Sequence, residues 1–398
     1  MKNKKGDDLL VNFFKPNTIA VIGASNNPEK VGNVLMKKLC ECERKVIPIN
    51  PNHNKIEGKK AYQNVLSYSK KIDLAVIAVP AKIVNKVLIE CGKKKIPNAI
   101  IISAGFSEVG NEKLEKQIIK TAEKYKINIL GPNCFGVANP YLKLDTTFSN
   151  TSPGKGKIAF ISQSGALFSY VSDFPKNKFS GFVSLGNQAM LGFTEFIEYF
   201  SKDKKTKKII LYIEKLKNGR EFIKACQRSK KQIIVVKAGQ TKKGTKATLS
   251  HTGSLATDFK IYQGAFKQAG VEVVESLAEA FSIKKQNLKI KSKKPIKIIT
   301  NAGGAAALLT DELTKKGHNV NVKDLLGTAI AKDYEQELKK SKASNKIVIV
   351  TPQKMSEPAK TAKILPKKAN ACFLGEKSMT RAIKILKKRK IKYYTRCC

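Results

Sequence analysis

Short runs of Ile and Val alternate along this chain with longer, lysine-rich amphipathic stretches. Thr18–Gly23, Lys45–Asn50, Asp73–Pro80, Asn98–Ala104 and Ile127–Gly131 are apolar at consecutive positions, the pattern of strands buried on both faces. Between them, Lys30–Glu41, Ala81–Lys94 and Asn111–Lys126 read as helices. This alternation predicts a doubly wound parallel sheet. Asp145–Lys157, with Pro153, Gly154 and Gly156, reads as a linker. A second alternation follows, with strands at Lys157–Ser162, Gly181–Leu185, Lys208–Glu214, Gln232–Lys237 and Val271–Val274. A charged bridge, Lys284–Lys294, leads to Pro295 and a third, shorter unit that opens at Ile296–Asn301. The predicted fold class is α/β: a Rossmann-like unit over residues 8–145, then two further parallel-sheet units over 155–288 and 295–398.

Each unit repeats one layout, a strand, a Gly-rich turn and a helix, and the turns carry the candidate chemistry. Gly23-Ala24-Ser25-Asn26 follows the first strand, where small residues let backbone amides approach a phosphate. The same residues also suit a plain tight turn. The pattern is not GxGxxG, and Asn50 stands at the end of strand two where an NAD site wants a carboxylate for the ribose, so NAD is not expected. Val79-Pro80, Ser103-Ala104-Gly105 and Asn133-Cys134 end other strands at the same sheet edge, the ligand crevice of such a fold. Cys134 lacks a histidine partner in this unit apart from His53 and reads as a packed thiol rather than a nucleophile.

Ser162-Gln163-Ser164-Gly165 and Asn301-Ala302-Gly303-Gly304 again join a strand to a helix. Ser162 replaces the first glycine of a nucleophile elbow, so an anion cradle of hydroxyls and free amides is the better reading. Two such helix ends facing one another would hold one phosphate between them; each alone also serves as an ordinary cap. Ser250-His251-Thr252-Gly253-Ser254 places a histidine among small residues in a predicted polar loop, where a neutral imidazole is a competent phosphoryl acceptor. Glu214, ending the apolar run Ile209–Ile213, is the carboxylate positioned to orient it. Gly239–Thr245 imitates a P-loop but lacks the lysine after its second glycine.

Composition changes this picture little. The net charge of +45 suits nucleic acid or other anions, but the basic residues are nearly all lysine and spread over the whole chain, the pattern of a solvated surface. Nucleic acid is therefore not the expected partner. The eight cysteines form no CxxC pair and there are three histidines, so zinc is not expected; Cys397-Cys398 reads as an exposed, oxidisable end. No apolar run spans a bilayer and no leader pattern precedes the first strand, which predicts a cytoplasmic protein without a membrane segment.

The words "IAVIGAS", "INPN", "AVP", "SAGFSE", "GPNCFG", "ISQSGAL", "SLGNQA", "YIE", "SHTGSLA" and "TNAGG" occur in this order. With them the chain resembles the α subunit of ADP-forming acetate–CoA ligases, of the succinyl-CoA synthetase superfamily, over residues 10 to 394. The resemblance implies a CoA-binding first unit and two flavodoxin-like succinyl-CoA synthetase-like units, the last a shortened one. It implies CoA contacts from Gly23, Ala24, Ser25, Asn26, Asn50, Val79, Pro80, Ser103, Ala104, Gly105 and Asn133. It implies a phosphate cradle of Ser162, Gln163, Ser164, Gly165, Gly303 and Gly304, phosphorylation of His251, and Glu214 as its orienting partner. The family's nucleotide site lies in an ATP-grasp part that this sequence lacks, so ADP/ATP and Mg are expected on a separate β subunit. Two departures stand out: Ala305-Ala306-Ala307 continues the "TNAGG" turn where a Gly-Pro pair is expected, and the third unit is short. A non-catalytic CoA-binding or scaffold protein of the same fold is the competing reading.

Overall fold

The computed structural model describes residues 10–252, 258–288, 290 and 294–398, with the side chains of 249–252 excepted. Among the described residues three large sheets form, beside a two-stranded hairpin that pairs Lys55–Ile56 with Lys59–Lys60. The first contains β1 (Thr18–Ile22), β2 (Lys45–Ile49), β3 (Leu74–Ile77), β4 (Asn98–Ile101) and β5 (Asn128–Leu130), with helices α1 (Val31–Cys40), α2 (Ala81–Lys93) and α3 (Glu112–Tyr125). Its order is β2-β1-β3-β4-β5, all parallel, with β1 in register with β2 on one side and β3 on the other. The chain reverses direction across the sheet between β1 and β3, which opens a crevice at their carboxyl ends.

The second sheet gains an antiparallel pair, β6 (Val137–Asn139) and β7 (Leu144–Asp145), at one edge. Its parallel strands are β8 (Gly154–Ser162), β9 (Lys178–Ser184), β10 (Lys208–Ile213), β11 (Gln232–Lys237) and β12 (Glu272–Val274). They run in the order β12-β11-β10-β8-β9-β6-β7. The helices are α4 (Ala166–Ser172), α5 (Phe193–Lys202), α6 (Gly219–Arg228), α7 (Lys242–Thr252), α8 (Phe259–Ala269) and the short α9 (Leu277–Ala280). The third sheet, β14-β13-β15-β16-β17, is built from β13 (Ile296–Thr300), β14 (Val320–Asp324), β15 (Asn345–Val350), β16 (Asn370–Phe373) and β17 (Tyr393–Tyr394). Helices α10 (Gly303–Lys315), α11 (Ala331–Lys340), α12 (Pro358–Ile364) and α13 (Thr380–Lys388) cover it. Within each unit the parallel strands take the same 2-1-3-4-5 order, so each has its switch point beside its first Gly-rich turn.

Three expectations change. The strand pair 137–145, assigned by sequence to the first unit, is hydrogen-bonded into the second sheet. The predicted linker is a packed strap. Thr146, Thr147 and Ser149 are fully buried, Asp145 pairs with the Lys38 ammonium of α1 at 2.7 Å, and Ser149 bridges Gln353. Polar residues read as a linker because the partners that lock the strap in place, Lys38 and Gln353, are far away in the chain, beside local bonds such as Thr147 N to Asp145 Oδ1 (2.9 Å). The Cys397-Cys398 end is buried, not exposed. β17 adds to the sheet edge and Gln286 Oε1 then accepts from Thr395 N (2.7 Å) and Arg396 N (3.2 Å). These bonds draw the terminus inward, where burial pushes the Cys397 thiol well above its ordinary range.

Among the described residues no helix is long and apolar enough to cross a membrane, and no group of three or more His, Cys, Asp or Glu is placed to hold a metal.

Candidate functional site

A cavity of about 570 Å³ lies where the carboxyl ends of the three sheets converge. Its wall includes Val79, Ser103, Ala104, Gly105 and Asn133 from the first unit and Gln163, Ser164, Gly165 and Glu214 from the second. Gly303 and Gly304 complete it from the third. A volume of this size accommodates the end of an extended ligand together with a small anion.

On the first unit's side, backbone economy shapes the crevice. Gly23 has φ +91°, and a Cβ there would meet the Ala78 carbonyl at 2.4 Å. A Cβ on Gly32 would lie 1.9 Å from the Gly23 carbonyl, so α1 presses directly on the turn. The polar side chains nearby are spent on holding it. Asn50 Nδ2 donates to Ala24 O at 2.8 Å, Asn26 bridges Lys55 O and Glu57 N, and Ser25 Oγ accepts from Asn27 N. Ser103 Oγ donates to Val79 O at 2.5 Å, tying two strand ends together. Gly23, Ala24, Ser25, Asn26, Asn50 and Pro80 stand outside the cavity wall, though Val31 at the start of α1 belongs to it.

The two glycine-containing turns of the other units meet. A Cβ on Gly304 would sit 2.7 Å from both Cβ and Oγ of Ser164 and 2.9 Å from Tyr212 Oη. Glycine at 304 is thus the condition for this close approach. Tyr212 Oη lies 3.1 Å from both Glu214 Oε1 and Gly304 O, joining the Glu214 carboxylate to the α10 turn. Burial first, and then the charge of Glu214, raises the Tyr212 phenol well above its usual range, so it remains a donor. Gln163 Oε1 accepts from Glu214 N (2.5 Å) and Lys215 N (2.8 Å), which fixes the end of β10 to the α4 turn. Ser162 stands behind the turn, its Oγ donating to Ser164 O at 2.7 Å, and outside the cavity wall.

His251 falls in the last turn of α7, not in the polar loop expected over 250–254. The reason lies at the other end of this helix. Its first turn is capped by Thr241 Oγ1, which accepts from Gly244 N at 3.0 Å, and by an Asp311 carboxylate from α10. A capped start carries the helix through Ala247 to Thr252. The His251 side chain, and residues 253–257, lie outside the described residues.

Several neighbours of the site went unread in the sequence. Lys237 is 2 % exposed; its Nζ donates to Glu214 O (2.9 Å) and Ala238 O and stands 4.4 Å from the Tyr262 ring centre. Burial lowers its pKa to about 8, while Asp311 and Glu214 act in the opposite direction. A lysine ending an apolar strand is the same signal that singled out Glu214, and it applied here too. Asn187 Nδ2 donates to Glu108 Oε2 (2.6 Å) and Glu115 Oε2 (2.8 Å), linking the second unit to the Gly105 turn. Gln353, Thr351 and Asn301 form a buried network under the α10 turn, with Asn301 Nδ2 donating to Gln353 Oε1 at 2.9 Å. The bonds from Asn187 to Glu108 and from Asn301 to Gln353 join residues dozens of positions apart and leave no local pattern. Cys134 donates to Ile101 O at 3.3 Å and is pushed up to about 12 by burial, which keeps it a thiol, as its sequence context suggested.

Comparison with known proteins gives a consistent result. Residues 17–140 match the family of CoA binding domains, and residues 155–286 match the succinyl-CoA ligase like flavodoxin domain. The α subunit of ADP-forming acetate–CoA ligase II of Pyrococcus furiosus is 43 % identical over 318 residues, covering 78 % of this chain and 69 % of that one. ADP-forming acetate–CoA ligase I of Archaeoglobus fulgidus is 37 % identical over 409 residues, 94 % of this chain. This chain spans 60 % of that relative's length. An acetyl-coenzyme A synthetase 1 of Candidatus Korarchaeum cryptofilum, solved with phosphate and ADP, superposes with a TM-score of 0.67 at 33 % identity. The match covers 97 % of this chain and 93 % of that one.

Proposed function

This chain belongs to the ADP-forming acetate–CoA ligase family, and we propose that it is the CoA-binding, phosphohistidine-bearing subunit of an NDP-forming acyl-CoA synthetase. The observation that carries this reading is the single cavity shared by the first unit's strand ends, Glu214 and the facing Ser164 and Gly304 turns. CoA enters along Val79, Ser103–Gly105 and Asn133, with its nucleotide end toward the Gly23–Asn26 turn that Asn50 braces. Inorganic phosphate sits between the Ser164–Gly165 and Gly303–Gly304 turns, where amides and a helix end favour an anion. Gln163 and Ser162 hold the first of these turns in shape.

A phosphate oxygen attacks the thioester carbonyl of acyl-CoA. The C–S bond breaks, and CoA leaves as a thiolate that takes up a proton. The His251 imidazole then attacks the phosphorus of the acyl phosphate, and the carboxylate leaves with the electrons of the broken P–O bond. Glu214 acts by holding the imidazole in the attacking orientation. The phosphoryl group finally passes to ADP, which with its Mg belongs to a separate ATP-grasp β subunit, and ATP forms. The lysine-rich surface favours approach of CoA, nucleotide and an acidic partner. CoA and ADP as substrates support a cytoplasmic location.

The test is phosphoryl labelling of the full chain with radiolabelled acetyl phosphate, or with ATP when the β subunit is present. An acid-labile, base-stable label on the wild type that is lost in His251→Ala is the expected outcome. Label that persists in the variant overturns the mechanism. No label on either with an active β subunit favours the non-catalytic CoA-binding reading.

A further inference from the structure

The P-loop-like segment Gly239–Thr245 has an occupant. The Asp311 carboxylate, 4 % exposed, accepts from Gly239 N (2.7 Å), Gln240 N (3.0 Å), Thr241 N (2.8 Å) and Thr241 Oγ1 (2.8 Å). Gly239 has φ +75°, which lets successive amides converge on one anion. A Cβ on Gly244 would lie 1.9 Å from Asp311 Oδ1, so this helix has been cut back to admit the carboxylate. An anion-binding turn at a helix start is thus filled by the protein itself, from a helix some seventy positions away.

The two helices so joined are those that matter to the site. Asp311 belongs to α10, whose first residues, Gly303 and Gly304, face the cavity. The turn it fills starts α7, whose last turn contains His251. The Lys243 ammonium reaches Asn319, beyond the end of α10, so α7 begins at the far end of α10 and runs back along it. It also reaches the Ser107–Val109 turn, and Glu108 and Val109 belong to the cavity wall. From Gly303 to Asp311 is a rise of about 12 Å, and from Thr241 to His251 about 15 Å. Descending one helix and returning along the other brings the chain at residue 251 to the level of the Gly303–Gly304 turn.

We propose that Asp311 is a register pin: it fixes the His251 helix against the phosphate-holding helix and so sets the reach of His251 to the phosphoryl group. Asp311 is a positioning residue, and the inference rests on the phosphohistidine reading above. Glu214 belongs to the cavity wall, whereas Asp311 stands outside it and its hydrogen bonds hold the start of α7. Loss of the pin therefore affects the second chemical step and leaves the first in place.

Two variants of the full chain test it, Asp311→Asn and Gly244→Ala. Gly244→Ala displaces the carboxylate from the opposite side, although alanine has the higher helix propensity. Two readouts are compared: phosphorylation by radiolabelled acetyl phosphate, and exchange between acetyl-CoA plus phosphate and acetyl phosphate plus CoA. Both variants are expected to lose labelling rate about 100-fold, the scale of an ångström-sized misplacement, and to hold the exchange within about threefold of wild type. Wild-type labelling in either variant overturns the pin, as does a loss of exchange in step with labelling, which marks a general structural defect. His251→Ala in the same series separates the premises: persisting label there overturns the phosphohistidine reading and the pin with it.

Discussion

Two helix starts in this protein are built alike and used differently. The turn before α10, Asn301–Gly304, and the turn before α7, Gly239–Thr241, both follow a buried parallel strand and both present backbone amides at a sheet edge. The α10 turn borders a cavity and packs against Ser164 through a position where only glycine fits. The α7 turn is closed by a carboxylate of the same chain. The comparison teaches that an anion-binding turn is a site for a ligand only when no other element of the protein supplies the anion. Gly239–Thr245 lacks the lysine of a P-loop, and its turn amides are taken by Asp311.

The strongest way to break this comparison is to close the open turn. Gly304→Ala drives a methyl group into Ser164 and Tyr212 Oη, and the acetyl-CoA/phosphate exchange should fall about 100-fold. Thermal unfolding should report a cost of about 1–3 kcal/mol from overpacking. Unchanged exchange would show that the Gly304 turn holds no phosphate. Gly264→Ala, on a helix where a Cβ meets nothing within 4 Å, is the control.

A smaller effect sharpens the closed turn. Lys237 stands behind Glu214, and its pKa is lowered from 10.5 to about 8 chiefly by burial. Between those two values the unfolded chain holds a proton that the fold has released, so stability rises with pH across this window. The slope contributed is at most about 1.4 kcal/mol per pH unit. Below the folded pKa the buried charge is carried at full cost. Denaturant unfolding across the window should show this slope in the wild type and lose it in Lys237→Met; equal slopes refute the assignment. Smallest is Asn50→Ala, which removes the 2.8 Å bond to Ala24 O without touching the cavity wall. CoA affinity, measured calorimetrically, should weaken about three- to tenfold, the worth of one such hydrogen bond, with phosphate use unaffected. Unaltered affinity would remove Asn50 from the CoA site.

Much of the site was legible because its main parts are local. Gly23, Ser164, Gly303 and Glu214 each stand at the end of an apolar run, and an apolar run marks a strand whose carboxyl end opens on the crevice. Ser162 and Asn50 were legible as members of their turns but not as braces facing away from the cavity, because the direction of a side chain depends on what packs behind it. Asn187 was legible only as a letter of "SLGNQA", with no role, and Gln353 and Asp311 were not legible at all. Each is a polar residue whose significance is a bond to a group far along the chain: a carboxylate for Asn187, a side-chain amide for Gln353 and backbone amides for Asp311.

The sequence alone determined the alternation of strands and helices, the glycines that permit close backbone approach, and a family whose members bind CoA. These follow from periodicity and from the steric uniqueness of glycine, both properties of short segments. Only the tertiary structure decided that the strap after β7 is buried, that the cysteine terminus is sheltered, and that residue 251 lies in the last turn of a helix whose leading turn is bonded to Asp311. In each case a polar group finds its partner across a fold boundary, and burial of a polar group is tolerated only when that partner is in place.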